Sequence, residues 1–174
     1  MMALIMMVLF VLLMLAAALS DLRHYRIPNW MSGAVALLFL LAVISTGMPL
    51  KLALWHGLAG VVVLFVGFAL FAVRIVGGGD AKLLAAAALW IGWTKLFYFI
   101  FYTALAGGVL AICMVAWEVV RLHIDITSSN SQSSLLKRLT SLKPDLPYGV
   151  AIAAGACFAL PQTWWAASAV LINR

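Results

Sequence analysis

Acidic residues are scarce: five Asp and Glu stand among 174 residues, against eleven Lys and Arg, and charged residues make up 9% of the chain. Soluble domains carry about 25% charged and about 45–50% apolar residues, whereas 67% of this chain is hydrophobic and its mean hydropathy is +1.16. A soluble globule is excluded, because a chain of this length cannot hide such an excess in one core. Cysteine is nearly absent too. Cys113 and Cys157 both lie in apolar runs, where a thiol behaves as a small hydrophobe, so neither a disulfide framework nor a cysteine-rich metal site is available. His24, His56 and His123 are scattered and show no metal-ligand spacing, so no metal is expected. No separate basic domain exists to carry nucleic acid, and the net charge of +6 has to be read against membrane topology instead.

What is present is a series of apolar runs. Met1 to Leu19 lacks a basic start and a small-residue cleavage pattern and reads as a retained helix that ends at Ser20-Asp21. A polar corner from Asp21 to Asn29 follows, then a run from about Trp30 to Thr46, the turn cluster Gly47-Met48-Pro49, and a run from about Leu52 to Val73. After Arg74 and Gly77-Gly78-Gly79-Asp80, the stretch Leu83 to Trp117 holds two helices split near Gly92 to Lys95. The first of that pair is only about a dozen residues long and rises about 18–20 Å against a core of about 30 Å, so either Asp80 lies below the membrane surface, the favoured reading, or the split falls later. Residues 118–147 are polar, with Thr127 to Ser134 reading as a flexible loop. From Ser134 to Lys143, leucines 135, 136, 139 and 142 oppose Lys137, Arg138 and Lys143, the pattern of a helix in the headgroup plane or of a solvated linker. The last run extends from Tyr148 to about Ile172, and its Trp164-Trp165 pair suits an interfacial belt.

The fold class expected is all-α: a polytopic membrane protein of about six transmembrane helices, one membrane-embedded domain over 1–174 with a polar cytoplasmic loop at about 118–147. Alternate connections hold Arg23, Arg26, Arg74, Lys82, Arg121, Lys137, Arg138 and Lys143 on one side and Lys51, Lys95 and Arg174 on the other. Because basic residues are retained in the cytoplasm, both termini are expected on the outer side. Asp21 and Asp80 then share the cytoplasmic face.

Glu118, Asp125 and Asp145 belong to the polar loop. Asp21 and Asp80 instead sit at helix ends near the membrane, where an ionisable side chain is costly and is a functional hypothesis by default. Two converging carboxylates do not both ionise easily, so one keeps a proton while the other can activate a water, the division of labour of aspartic proteases. Asp21 follows a helix C-terminus and Asp80 precedes a helix N-terminus with Lys82 nearby, which predicts an ionised Asp80 and a protonated Asp21. Plainer roles exist for each alone. Asp80 can serve as an N-cap after its glycines, Asp21 can end a span beside Arg23 and Arg26, and Lys82 can orient Asp80 or reach for the headgroups. The triple glycine lacks the lysine and hydroxyl spacing of a P-loop, so no nucleotide cofactor is indicated.

Three motifs fall in order: Asp21 with Arg26-Ile27-Pro28-Asn29, Gly77-Gly78-Gly79-Asp80-Ala81-Lys82, and Pro147-Tyr148-Gly149-Val150-Ala151-Ile152-Ala153. Together they closely resemble the type IV prepilin peptidase family, whose GxGD signature the second segment matches. The resemblance implies an aspartic endopeptidase of the bacterial inner membrane that removes short basic leaders from prepilins and pseudopilins at the cytoplasmic face, with Asp21 and Asp80 catalytic. Gly77, Gly78, Gly79, Lys82, Arg26, Pro28, Asn29, Pro147, Tyr148 and Gly149 are the residues expected to bind substrate or shape the site. The large bifunctional members carry an N-terminal extension with zinc-binding cysteines and a methyltransferase activity. This chain shows no counterpart to that extension and is similar to the small peptidase-only branch, such as those serving tight-adherence (Flp-type) pili.

Two other readings share the aspartates. Presenilin-type and signal-peptide-peptidase-type intramembrane proteases also have a GxGD segment, but they pair the first aspartate with a preceding tyrosine and carry a Pro-Ala-Leu motif, where this chain has Ser20-Asp21 and Pro147-Tyr148-Gly149. A cation or proton transporter would place its acids deeper in the spans and break helices in paired halves, whereas residues 77–79 offer a single break.

Overall fold

The computed structural model describes residues 2–128 and 146–171. In chain order these form α1 (Met2–His24), α2 (Asn29–Thr46), α3 (Leu50–Ala72), α4 (Gly78–Ile91), a 3₁₀ turn (Trp93–Lys95), α5 (Leu96–Ser128), α6 (Tyr148–Ala159), a second 3₁₀ turn (Leu160–Gln162) and α7 (Trp164–Leu171). No strand occurs among the described residues. The headgroup-plane helix expected over Ser134 to Lys143, and the loop beyond Ser128, lie outside the described residues.

Residues Met1–Gly107 with Pro147–Arg174 make one compact unit and Gly108–Leu146 a second. The first unit is built around α4. Its Ala81, Leu83, Ala85 to Ala88, Trp90 and Ile91 are all buried, as expected of a helix that is apolar all round. α2, α3 and α6 pack against α4, while α1 packs on α2, α6 and α7. Small residues let the backbones approach: a Cβ on Gly67 of α3 would lie 3.0 Å from the Ala81 Cβ, and one on Gly60 would strike the Leu89 side chain.

The C-terminal end of α4 leaves carbonyls that no later turn can satisfy, and three different donors take them. Gly92 N–H donates to Ala88 O at 2.9 Å, His56 Nδ1–H from α3 to Leu89 O at 2.7 Å, and Trp165 Nε1–H from α7 to Trp90 O at 2.8 Å. Gly92 has φ +74°, and a Cβ there would come within 2.5 Å of His56 Nε2, so both its conformation and its contact need glycine. Phe10 stacks on Trp90 at 4.7 Å and Phe39 on His56 at 5.9 Å, which closes an aromatic layer around this end. In the second unit, Arg121 lies over the Trp117 ring at 5.2 Å.

Among the described residues, four helices are long and apolar enough to cross a membrane: Met2–His24, Asn29–Thr46, Leu50–Ala72 and Trp93–Arg121. The six spans expected from apolar runs include two that fall short on length. α4 has 14 residues, about 21 Å against a hydrocarbon core of about 30 Å. The run after Tyr148 is not one helix: Pro161 sits in the 3₁₀ turn that separates α6 from α7, because proline cannot donate to the preceding turn. Two further boundaries differ. α1 continues past Ser20 and carries Asp21 within it, and α5 runs through Glu118 to Ser128, into the stretch read as loop. Trp165 is fully buried on α4 instead of facing an interface, since its indole N–H has an orphan carbonyl to satisfy.

Candidate active site

Asp21 lies in the last turn of α1 and is 5% exposed. Its backbone carbonyl accepts the N–H of Tyr25 at 2.8 Å, which ends the helix. Tyr25 takes a left-handed conformation, φ 50°, and the chain turns back sharply. Ser20 Oγ donates to Arg26 O at 3.0 Å and fastens the corner. The Asp21 carboxylate reaches the first turn of α6, where Gly149 N–H donates to Oδ2 at 2.7 Å in a buried bond spanning 128 positions.

Asp80 occupies the third residue of α4, a helix whose N-cap is Gly77. It is therefore not the N-cap itself; its carboxylate reaches back and accepts the Gly77 N–H, the reciprocal half of a capping box. Asp80 lies outside the four long helices, partly buried. Burial first, and then the charge of the nearby Asp21, push its carboxyl up to about 6, against the opposing effect of the Gly77 bond. The charge of Asp21 thus reaches Asp80.

The remaining residues singled out in the sequence take several different places. Gly77 and Gly79 belong to the Asp80 turn, and Gly78 packs its Cα under the Phe71 ring, where a Cβ would sit 3.3 Å from the ring edge. Pro28 and Pro147 are the N-cap residues of α2 and α6, pre-set for helix starts by their fixed φ. Lys82 Nζ donates to Asn29 Oδ1 at 2.9 Å on the exposed side, tying the start of α2 to α4. The amine is committed to that amide, so the influence of Lys82 on Asp80 expected from the sequence is replaced by those of burial, Asp21 and Gly77. Arg26 is exposed and contributes its backbone carbonyl to the corner, and Tyr148 is 37% exposed with its ring edge near Gly107 of α5.

One motif residue has no role assigned from the sequence. Ile27 is buried, 9% exposed, and lies between two helix starts: a Cβ on Gly79 would be 3.1 Å from Ile27 O and 3.3 Å from its Cβ, and one on Gly149 would be 2.9 Å from its Cδ1. Its signal was present. It is an isolated apolar residue in a polar corner, and such a residue needs a buried place.

Two carboxylates, each accepting a backbone N–H, can perform paired acid–base chemistry on a water and a carbonyl. Among the described residues, no group of three or more His, Cys, Asp or Glu side chains comes together to hold a metal ion.

A family model described as the type IV leader peptidase family matches residues 8–112. The matched span contains Asp21, Ile27, Asn29, Asp80 and Lys82; the Pro147-Tyr148-Gly149 turn lies beyond it. No curated protein and no solved structure matches the chain. With more than half of its residues covered by that model and the glycine-rich aspartate turn within the match, the chain belongs to the type IV leader peptidase family.

Proposed function

We propose that this protein is a membrane aspartic endopeptidase that cleaves the short basic leader from type IV prepilins or pseudopilins at the cytoplasmic face of a bacterial inner membrane. The observation that carries the reading is that Asp21 and Asp80, from α1 and α4, each accept a backbone N–H at a helix start, with Ile27 lying between Gly149, which holds Asp21, and Gly79, the neighbour of Asp80. In this reading Asp80, whose carboxyl burial pushes up to about 6, carries the proton, and Asp21, which accepts the Gly149 N–H at the start of α6, is the base; helix ends alone suggest the opposite assignment.

The chemistry follows. Asp21 takes a proton from water as the water oxygen attacks the scissile carbonyl carbon, and Asp80 gives its proton to the carbonyl oxygen. The resulting tetrahedral diol collapses when the amide nitrogen receives the proton held by Asp21 and the C–N bond breaks. The diol returns a proton to Asp80, so that one water has been consumed and the dyad restored. A basic leader suits a site that carries net negative charge, while the apolar stem of the substrate can lie against the long helices.

The test is cleavage of a tagged prepilin by membranes holding wild type, Asp21→Ala or Asp80→Ala at matched levels. Wild type is expected to cut at the leader boundary, and each variant to accumulate but lose about 10³-fold or more in rate. Full activity in either variant overturns the two-carboxylate mechanism.

A further inference from the structure

Asp21 is held by the start of another helix, at Gly149, and Asp80 by the start of its own, at Gly77, and the corner between α1 and α2 lies against both helix starts. The left-handed Tyr25 and the Ser20–Arg26 bond fold that corner back so that Ile27 points inward. The residue then has glycine on both sides. On one side is Gly79, the neighbour of Asp80; on the other is Gly149, whose N–H holds Asp21 Oδ2. A side chain on either glycine would enter the space that Ile27 fills. At Gly149 the added Cβ would also lie 2.9 Å from Asp21 Oδ2 and 3.0 Å from Asp21 Cβ.

We propose that Ile27 and Gly149 are positioning residues of the active site: Ile27 is the spacer that sets the first turn of α4 against the first turn of α6, and Gly149 fixes the Asp21 carboxylate with one oxygen bound and the other left for water. The inference rests on the peptidase reading above. Each part has a distinct physical role. The Gly149 N–H determines which oxygen of Asp21 is committed, and the missing Cβ allows α6 to come that close. Ile27 fills the gap with stiff, β-branched volume, which keeps the spacing from collapsing or widening. Displacement of a catalytic group by about 1 Å costs about 10²-fold in rate, so the device acts on turnover and not on substrate affinity.

The experiment measures kcat and KM for leader cleavage by the full-length protein in one lipid environment. Gly149→Ala is expected to lower kcat about 10²-fold with KM within about twofold of wild type. Combining it with Ile27→Val removes the Cδ1 that the new methyl strikes and is expected to recover about tenfold of the loss. Gly155→Ala is the control for α6 packing in general, since its Cβ would collide with Thr103 on α5, away from the aspartates; it is expected to lower thermal stability and keep kcat per folded molecule. Should Gly149→Ala fail to fold, Ile27→Ala carries the test, with kcat expected to fall and KM to hold. Unchanged kcat in Gly149→Ala, an equal loss in Gly155→Ala, or no recovery in the double variant overturns the proposal. A wild type that cuts no leader overturns the peptidase reading and this inference together, which separates the two failures.

Discussion

Trp165 donates its indole N–H to the backbone carbonyl of Trp90 at 2.8 Å, which bolts α7 to the end of α4 farthest from Asp80. The two indoles also lie 5.1 Å apart, centroid to centroid. With His56 on Leu89 O and the Gly92 N–H on Ala88 O, the closing carbonyls of a short, buried helix are satisfied by side chains from two other helices and by the backbone amide of its own C-cap. One end of α4 is therefore anchored by aromatic packing and hydrogen bonds, and the other presents the acid.

The anchor can be tested without touching the chemistry. Trp165→Phe keeps most of the ring volume but leaves the Trp90 carbonyl buried without its donor, a cost of about 1–3 kcal/mol. The variant is expected to melt several degrees lower while its cleavage rate per folded molecule stays within about twofold of wild type. Thermal unfolding and leader cleavage on the same preparation check both halves.

Asp80 opposes the stability of the fold at neutral pH. A carboxyl pushed from 3.8 up to about 6 favours the folded state only while it is protonated. That contribution is complete below about pH 4 and is lost as the pH rises through about 6. Asp80→Asn is therefore expected to abolish cleavage yet melt about 2–4 °C above wild type at pH 7, with the difference shrinking to nothing near pH 4. A melting series from pH 4 to pH 7 on both proteins checks the sign, and a gain that grows toward low pH contradicts it.

Lys82 is expected to act through Asn29 and not through Asp80. Its ammonium donates to the Asn29 amide on the exposed side, where such a bond is worth about 1 kcal/mol or less. Lys82→Met and Asn29→Ala should each lower stability slightly, and the double variant should lose less than the sum, the mark of one shared interaction. The acidic limb of the pH–rate profile should stay in place in Lys82→Met. A shift of that limb would mean that the amine turns to Asp80 during the reaction.

Much of this architecture was legible in the residue pattern, and for definite reasons. A turn at Gly47-Met48-Pro49 and a break at Gly92 announced themselves through local chemistry, and both occur, each glycine at positive φ. The pair of unusual aspartates stood out because the chain has so few acids. Other features were hidden. The apolar run after Tyr148 carried no periodic signal that could tell one span from two short helices, and only Pro161 marked the break. Trp165 looked like a belt residue because composition does not reveal that an orphan carbonyl waits 75 positions away. Lys82 was read against Asp80, its neighbour in sequence, although its partner lies 53 positions back in the chain.

By itself the sequence determined the solvent and singled out two acids. A chain that is 67% hydrophobic requires an apolar environment, and a scarce acid beside a glycine turn within apolar runs marks where charge is tolerated for a purpose. The tertiary structure decided how the acids are held. Which helix start donates to Asp21, and which residue lies against Gly79 and Gly149, depend on contacts between segments remote in the chain. Such contacts are settled by how small residues let helices close on one another, a property of packed surfaces that no local pattern encodes.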